Sequence, residues 1–109
     1  MPQSLLCLSA ALLVASLGGP AQAGDPLAGR AKSQMCAVCH GPLGLSTAPD
    51  APHLAGQPAL YLTAQLQAYR SGVRKHEVMV VIARMLSADD ISHLAAWYAS
   101  LRIEVQAPP

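Results

Sequence analysis

The chain has 109 residues, 52% of them hydrophobic and 12% charged, a balance that excludes an intrinsically disordered polymer and leaves room for one small domain. Seven Lys and Arg stand against six Asp and Glu, a formal net charge of +1, so no global field recruits nucleic acid or an anionic membrane surface. Phe is absent and Trp occurs once; a chain this short then has few large side chains for a core, and something else has to fill it.

Residues 1–23, MPQSLLCLSAALLVASLGGPAQA, carry an apolar run from Leu5 to Leu17, a Gly18-Gly19-Pro20 break and the small-residue pattern Ala21-Gln22-Ala23. This reads as a secretory signal peptide cut between Ala23 and Gly24, although its first residues lack Lys and Arg, and it implies export to the periplasm. The run falls short of the roughly 20 residues that span a bilayer, so no stable span is expected in the mature chain. Cys7 precedes most of the apolar run and follows Leu6, which does not suit a lipidation site.

Residues 24–109 then form the domain. Asp25-Pro26 is a good N-cap and first helical residue, and Leu27, Ala31, Gln34 or Met35, and Val38 follow at roughly helical spacing. From Gly41 to Gln57, Pro42, Gly44, Pro49, Pro52 and Gly56 break any regular element, which predicts a wrapping loop. A middle helix is expected from Pro58 to about Ser71, with Leu62, Leu66 and Tyr69 as its stripe and Gly72 as its stop. Val78 to Ile82 is the one stretch with strand character. Ser87-Ala88-Asp89-Asp90 resembles a capping box, after which Ile91, Leu94, Ala95, Tyr98 and Leu101 share one face of a last helix. Gln106 to Pro109 should fray.

The first helix runs into Met35-Cys36-Ala37-Val38-Cys39-His40-Gly41. With the leader removed, Cys36 and Cys39 are the remaining cysteines, in a compartment where thiols oxidise readily. A thioredoxin-type dithiol wants a βαβ pattern that the chain lacks. A zinc site has to add His53, His76 or His93 to Cys36, Cys39 and His40, three ligands from one turn and a distant fourth. Covalent haem attachment has Cys-x-x-Cys-His as its signature. On a helix these residues stand at i, i+3 and i+4, so two sulfurs and an imidazole project from one face, and both cysteines are consumed in fastening a cofactor. His40 then reaches the iron from the attachment side. Met79, Met85, His53, His76 and His93 remain candidates for the other axial position, while Met35 adjoins the attachment motif and is set aside.

The run CAVCHG, then Pro52-His53-Leu54-Ala55-Gly56-Gln57, Tyr61-Leu62, Gln65-Leu66, Leu86 to Ile91 and Leu94-Ala95-Ala96-Trp97-Tyr98 is similar to class I c-type cytochromes, nearest the small bacterial forms called c4, c5 and c553. One Cys-x-x-Cys-His and no second cysteine pair favour a single-haem, c553-like chain. The resemblance implies an all-α cytochrome c fold, three main helices plus loops wrapped around one covalently bound haem c and its iron. It implies that the first and last helices cross at Gly29, with Tyr98 or Leu94 as the contact. It also implies that Met79, seven positions before Leu86, is the second axial ligand, and that the Pro52 carbonyl orients His40. Met85 is then expected to fill core, His53 to face solvent, and Tyr61 and Trp97 to pack on haem or at an interface. Arg70, Arg74 and Lys75 suit haem propionates, a docking patch or a basic helix terminus equally.

The implied function is single-electron transfer in the periplasm between redox partner proteins, not catalysis. Two other readings are a haem-bearing subunit of a dehydrogenase or oxidase complex, and a haem peroxidase with an open sixth position.

Overall fold

The computed structural model describes residues 24–109, so the expected signal peptide lies outside the described residues. Five helices follow one another: α1 (Pro26–Lys32), α2 (Gln34–His40), α3 (Ala59–Ser71), α4 (Glu77–Arg84) and α5 (Ala88–Ser100). No strand occurs among the described residues.

The first helix starts as its sequence dictates. Pro26 occupies the first turn, and the Asp25 carboxylate accepts from the Leu27 N–H at 2.9 Å. It is not one continuous rod, because Ser33 separates α1 from α2. The Ser33 hydroxyl is buried and donates to the Arg30 carbonyl at 2.8 Å, a back-bond of the kind that bends helices. In α3, Leu62 is buried, and Gly72 ends the helix with φ 82°, its N–H donating to the Tyr69 carbonyl. α5 opens with a complete capping box. Ser87 Oγ accepts from the Asp90 N–H at 3.0 Å and an Asp90 carboxylate oxygen accepts from the Ser87 N–H at 2.9 Å. That backbone bond, first among the causes, holds the Asp90 carboxyl below the usual carboxylate range. Lys32 lies 3.2 Å from the same carboxylate, partly exposed, a pair worth at most about 1 kcal/mol.

The strand character of Val78 to Ile82 is overturned: this segment is the core of α4. Its β-branched residues have no neighbouring strand to pair with, whereas helical winding buries Ala83 and half-buries Met79 and Ile82. Met85, expected in the core, is 58% exposed at the C-terminal cap of α4, and Leu86 is the buried neighbour. One step in sequence at the helix end turns the side chain from core to solvent.

Leu62, Leu86, Ile91, Leu94, Ala95 and Tyr98 form the buried cluster, where α3 and α5 meet. α1 packs across α5 at Gly29. A Cβ there would collide with the His93 carbonyl oxygen and stand 2.7 Å from Trp97 Cβ. The nearest contacts are thus His93 and Trp97 rather than Leu94 or Tyr98. The 94/98 stripe of α5 faces the interior cavity, and the 93/97 stripe, one residue round the helix, faces α1. Beside the crossing, the Asp25 N–H donates to His93 Nδ1 at 2.8 Å. Gly29→Ala is expected to cost about 1–3 kcal/mol by overpacking, even though alanine is the better helix former by about 1 kcal/mol. A urea titration of the haem-loaded protein measures it, and an unchanged or raised midpoint would show that the helices part without cost.

Candidate haem-binding site

The attachment motif forms most of α2, so Cys36, Cys39 and His40 lie within one helical turn. Both thiols are free; Cys36 is half-buried, Cys39 exposed and His40 buried, at 7%. Burial pushes the Cys36 thiol up, against the opposing pull of the Tyr98 hydroxyl and the Lys32 charge. The Tyr98 hydroxyl is also raised, chiefly by burial. Each is therefore protonated at neutral pH.

His40 Nδ1 is 2.9 Å from the Pro52 carbonyl oxygen. A carbonyl only accepts, so Nδ1 carries the proton and Nε2 keeps its lone pair, as a metal-ligating imidazole requires. The Gly41–Gln57 loop supplies this carbonyl and is itself pinned. The Leu54 and Ala55 N–H groups donate to the Gly44 carbonyl at 2.7 and 3.1 Å. His53 faces solvent, and its Nδ1 accepts from the Ser46 N–H at 2.8 Å.

A cavity of 380 Å³ opens above the motif, with walls from α2, the loop, α3, α4 and α5. Its size lies within the range of cofactor pockets. Cys36, Cys39 and His40 stand on its wall together with Pro52 and Met79. Leu54, Leu62, Leu66, Ile82 and Leu94 give it an apolar lining suited to a flat macrocycle, and Tyr61 also lines it. Among the five candidates for the remaining axial position, the cavity wall contains Met79 and His76 and omits Met85, His53 and His93. Of the three basic residues near the end of the middle helix, Arg74 lines the cavity and Arg70 and Lys75 do not. Its guanidinium lies 4.7 Å from the centre of the Tyr69 ring, and its Nη1 donates to Gln65 Oε1 at 2.7 Å. Trp97 is absent from the cavity and lies at the α1 crossing, under the Arg30 guanidinium at 5.7 Å.

Sequence reasoning missed two features here. One is the Gln65–Tyr69–Arg74 group, which the i, i+4 spacing of the first two residues could have flagged. The other is His76, whose side chain caps α4. No Ser, Thr, Asp or Asn marked that helix start, and the strand character of the following residues hid it.

An all-helical frame whose walls close over a Cys-x-x-Cys-His helix defines a class I c-type cytochrome, and comparison with known proteins agrees. The family model described as cytochrome c matches residues 27–102. Cytochrome c-554(548) of Halomonas halodenitrificans is 44% identical over 81 residues, 72% of this chain and 98% of that protein. The crystal structure of reduced recombinant cytochrome c4 from Pseudomonas stutzeri superposes with TM-score 0.70 at 38% identity, over 73% of this chain and 47% of that one. A protein of Stutzerimonas stutzeri named thiosulfate dehydrogenase electron acceptor is 44% identical over 69 residues, 61% of this chain and 32% of its own length. The chain therefore spans almost all of the first relative, about half of the second and a third of the last. The chain belongs to the cytochrome c family. Its cofactor is haem c, bound covalently, and Cys36 and Cys39 are present in the attachment arrangement that this family uses.

Proposed function

We propose that this chain is a single-electron carrier of the periplasm, exported by residues 1–23 and cut after Ala23, with residues 24–109 as the working domain. The observation that carries the reading is that Cys36, Cys39, His40 and Met79 line one apolar cavity while the Pro52 carbonyl accepts a hydrogen bond from His40 Nδ1–H. Haem, when bound, supplies an iron that gains and loses one electron. Cys36 and Cys39 fasten the macrocycle, His40 offers Nε2 to the iron, and Met79 offers its thioether, which favours ferrous over ferric iron. The apolar walls would hold the bound group in low dielectric, and with His40 and Met79 as its protein ligands no substrate would need to bind.

Arg74, stacked on Tyr69 at the cavity wall, is the cation for the carboxylate side groups of the macrocycle; Arg70 and Lys75 stay outside. Arg74→Gln is expected to lower the midpoint potential, because removing a positive charge favours ferric iron. It should also make the potential more dependent on pH, since the carboxylates lose the charge that keeps them ionised. Spectroelectrochemistry at several pH values checks this, and a superimposable curve would transfer Arg74 to a docking role.

The function is tested on the purified protein. Haem should stay with the polypeptide through acid-acetone extraction, and the ferrous form should bind carbon monoxide slowly or not at all. Rapid binding would favour the peroxidase reading. The relative named as an electron acceptor of thiosulfate dehydrogenase favours a second arrangement, in which this chain accepts electrons from a dehydrogenase partner in a lasting complex. Co-purification with a large partner would select that arrangement over a free carrier, whose encounters use small, short-lived interfaces.

A further inference from the structure

α4 is eight residues long, and Val78, Val80, Val81 and Ile82 make up half of it. β-Branched residues are poor helix formers, and a helix of this length does not stand alone in water. Burial of Ala83 and partial burial of Met79 and Ile82 secure one face, but burial leaves the first N–H groups of the helix without partners. His76 supplies one. Its backbone is extended, φ −162° and ψ 129°, and its Nδ1 accepts from the Val78 and Met79 N–H groups, each at 3.3 Å. The second of these N–H groups belongs to the residue that we assign as axial ligand.

We propose that His76 is the positioning residue for Met79. Its Nδ1, placed where the side-chain oxygen of an Asn cap would be, fixes the backbone of Met79 and so aims the thioether into the cavity. The same bond has a second effect. His76 is the other imidazole on the cavity wall besides His40. With Nδ1 accepting from two amides, the neutral ring carries its proton on Nε2, so neither nitrogen offers the iron a free lone pair, and one side chain both positions the sulfur and withholds a nitrogen competitor. This inference rests on the reading that Met79 is the axial ligand.

The experiment compares wild type, His76→Ala and His76→Asn as haem-loaded proteins. It reads the sulfur-to-iron absorption band of the ferric form during heating, and the hydrogen exchange of the Met79 amide. His76→Ala is expected to lose the band at a lower temperature than wild type, and its Met79 amide should exchange about fivefold faster, the effect of a lost cap. His76→Asn, which caps without an imidazole, should restore both. If His76→Ala keeps the wild-type band, melting and exchange, the proposal is overturned while Met79 ligation stands. If His76→Asn fails to restore what His76→Ala loses, the capping role is overturned. If wild type itself lacks the band, the Met79 assignment fails and the proposal falls with it.

Discussion

Cys36→Ser combined with Cys39→Ser is expected to yield a chain without covalent haem and largely without structure. The fully buried apolar set is small, and three of its eight members, Ala55, Ala83 and Ala95, are alanines. Beside this set lies the 380 Å³ cavity, open on one side. At about 24 cal/mol per Å³, leaving that space empty would cost up to about 9 kcal/mol. Water entering through the open side reduces the cost but also wets Leu62, Leu66 and Leu94. A domain has only about 5–15 kcal/mol of stability in all, so the loss of the cofactor is comparable to the whole. Far-ultraviolet circular dichroism of the double variant decides it. A helical, cooperatively melting protein without haem would show that the polypeptide core suffices.

Met79→Ala is expected to act on the iron and not on the attachment. Cys36, Cys39 and His40 remain, so haem stays bound, but the thioether that favours ferrous iron is gone and the reduction potential should fall substantially. The sulfur-to-iron band should vanish, and carbon monoxide should bind the ferrous form readily. Met85→Leu is the matched control, and the structure changes what it controls for. Met85 is 58% exposed, so the substitution should stay within about 0.5 kcal/mol of wild type and leave the spectrum alone. Carbon-monoxide binding in the Met85 variant but not in the Met79 variant would reverse the ligand assignment.

Most of this architecture was legible because its signals are local. Asp25-Pro26, the Ser87–Asp90 box and Gly72 act through bonds to residues a few positions away, so the starts of α1 and α5 and the end of α3 can be read directly. Cys36, Cys39 and His40 are tied by helical spacing alone. Features that depend on tertiary packing were harder. α4 has β-branched residues with strand propensity, and what makes it a helix is a histidine cap together with burial against the rest of the fold. The Gly29 contact was placed on the wrong stripe of α5, since the last helix has two neighbours, the cavity and α1, and sequence does not say which stripe meets which. The exposure of Met85 has a similar cause: hydrophobicity does not reveal which of the adjacent Met85 and Leu86 the end of α4 buries. The separation of Arg74 from Arg70 and Lys75 needed Tyr69 and Gln65 in place beside it.

The bond from Asp25 to His93 joins residues 68 positions apart, and the Gly29 crossing lies beside it. Loop closure over such a span is entropically costly, and contacts of that separation slow folding. During synthesis α1 emerges long before α5, so it has nothing to lie against until nearly the whole chain has been released. Throughout that interval Met35 and Cys36 in α2, immediately after α1, lack the α5 side chains they pack against in the finished fold. The order in which the polypeptide appears therefore gives a time window in which Cys36 is more open than in the finished fold, where it is half-buried, whereas Cys39 stays exposed after α5 arrives.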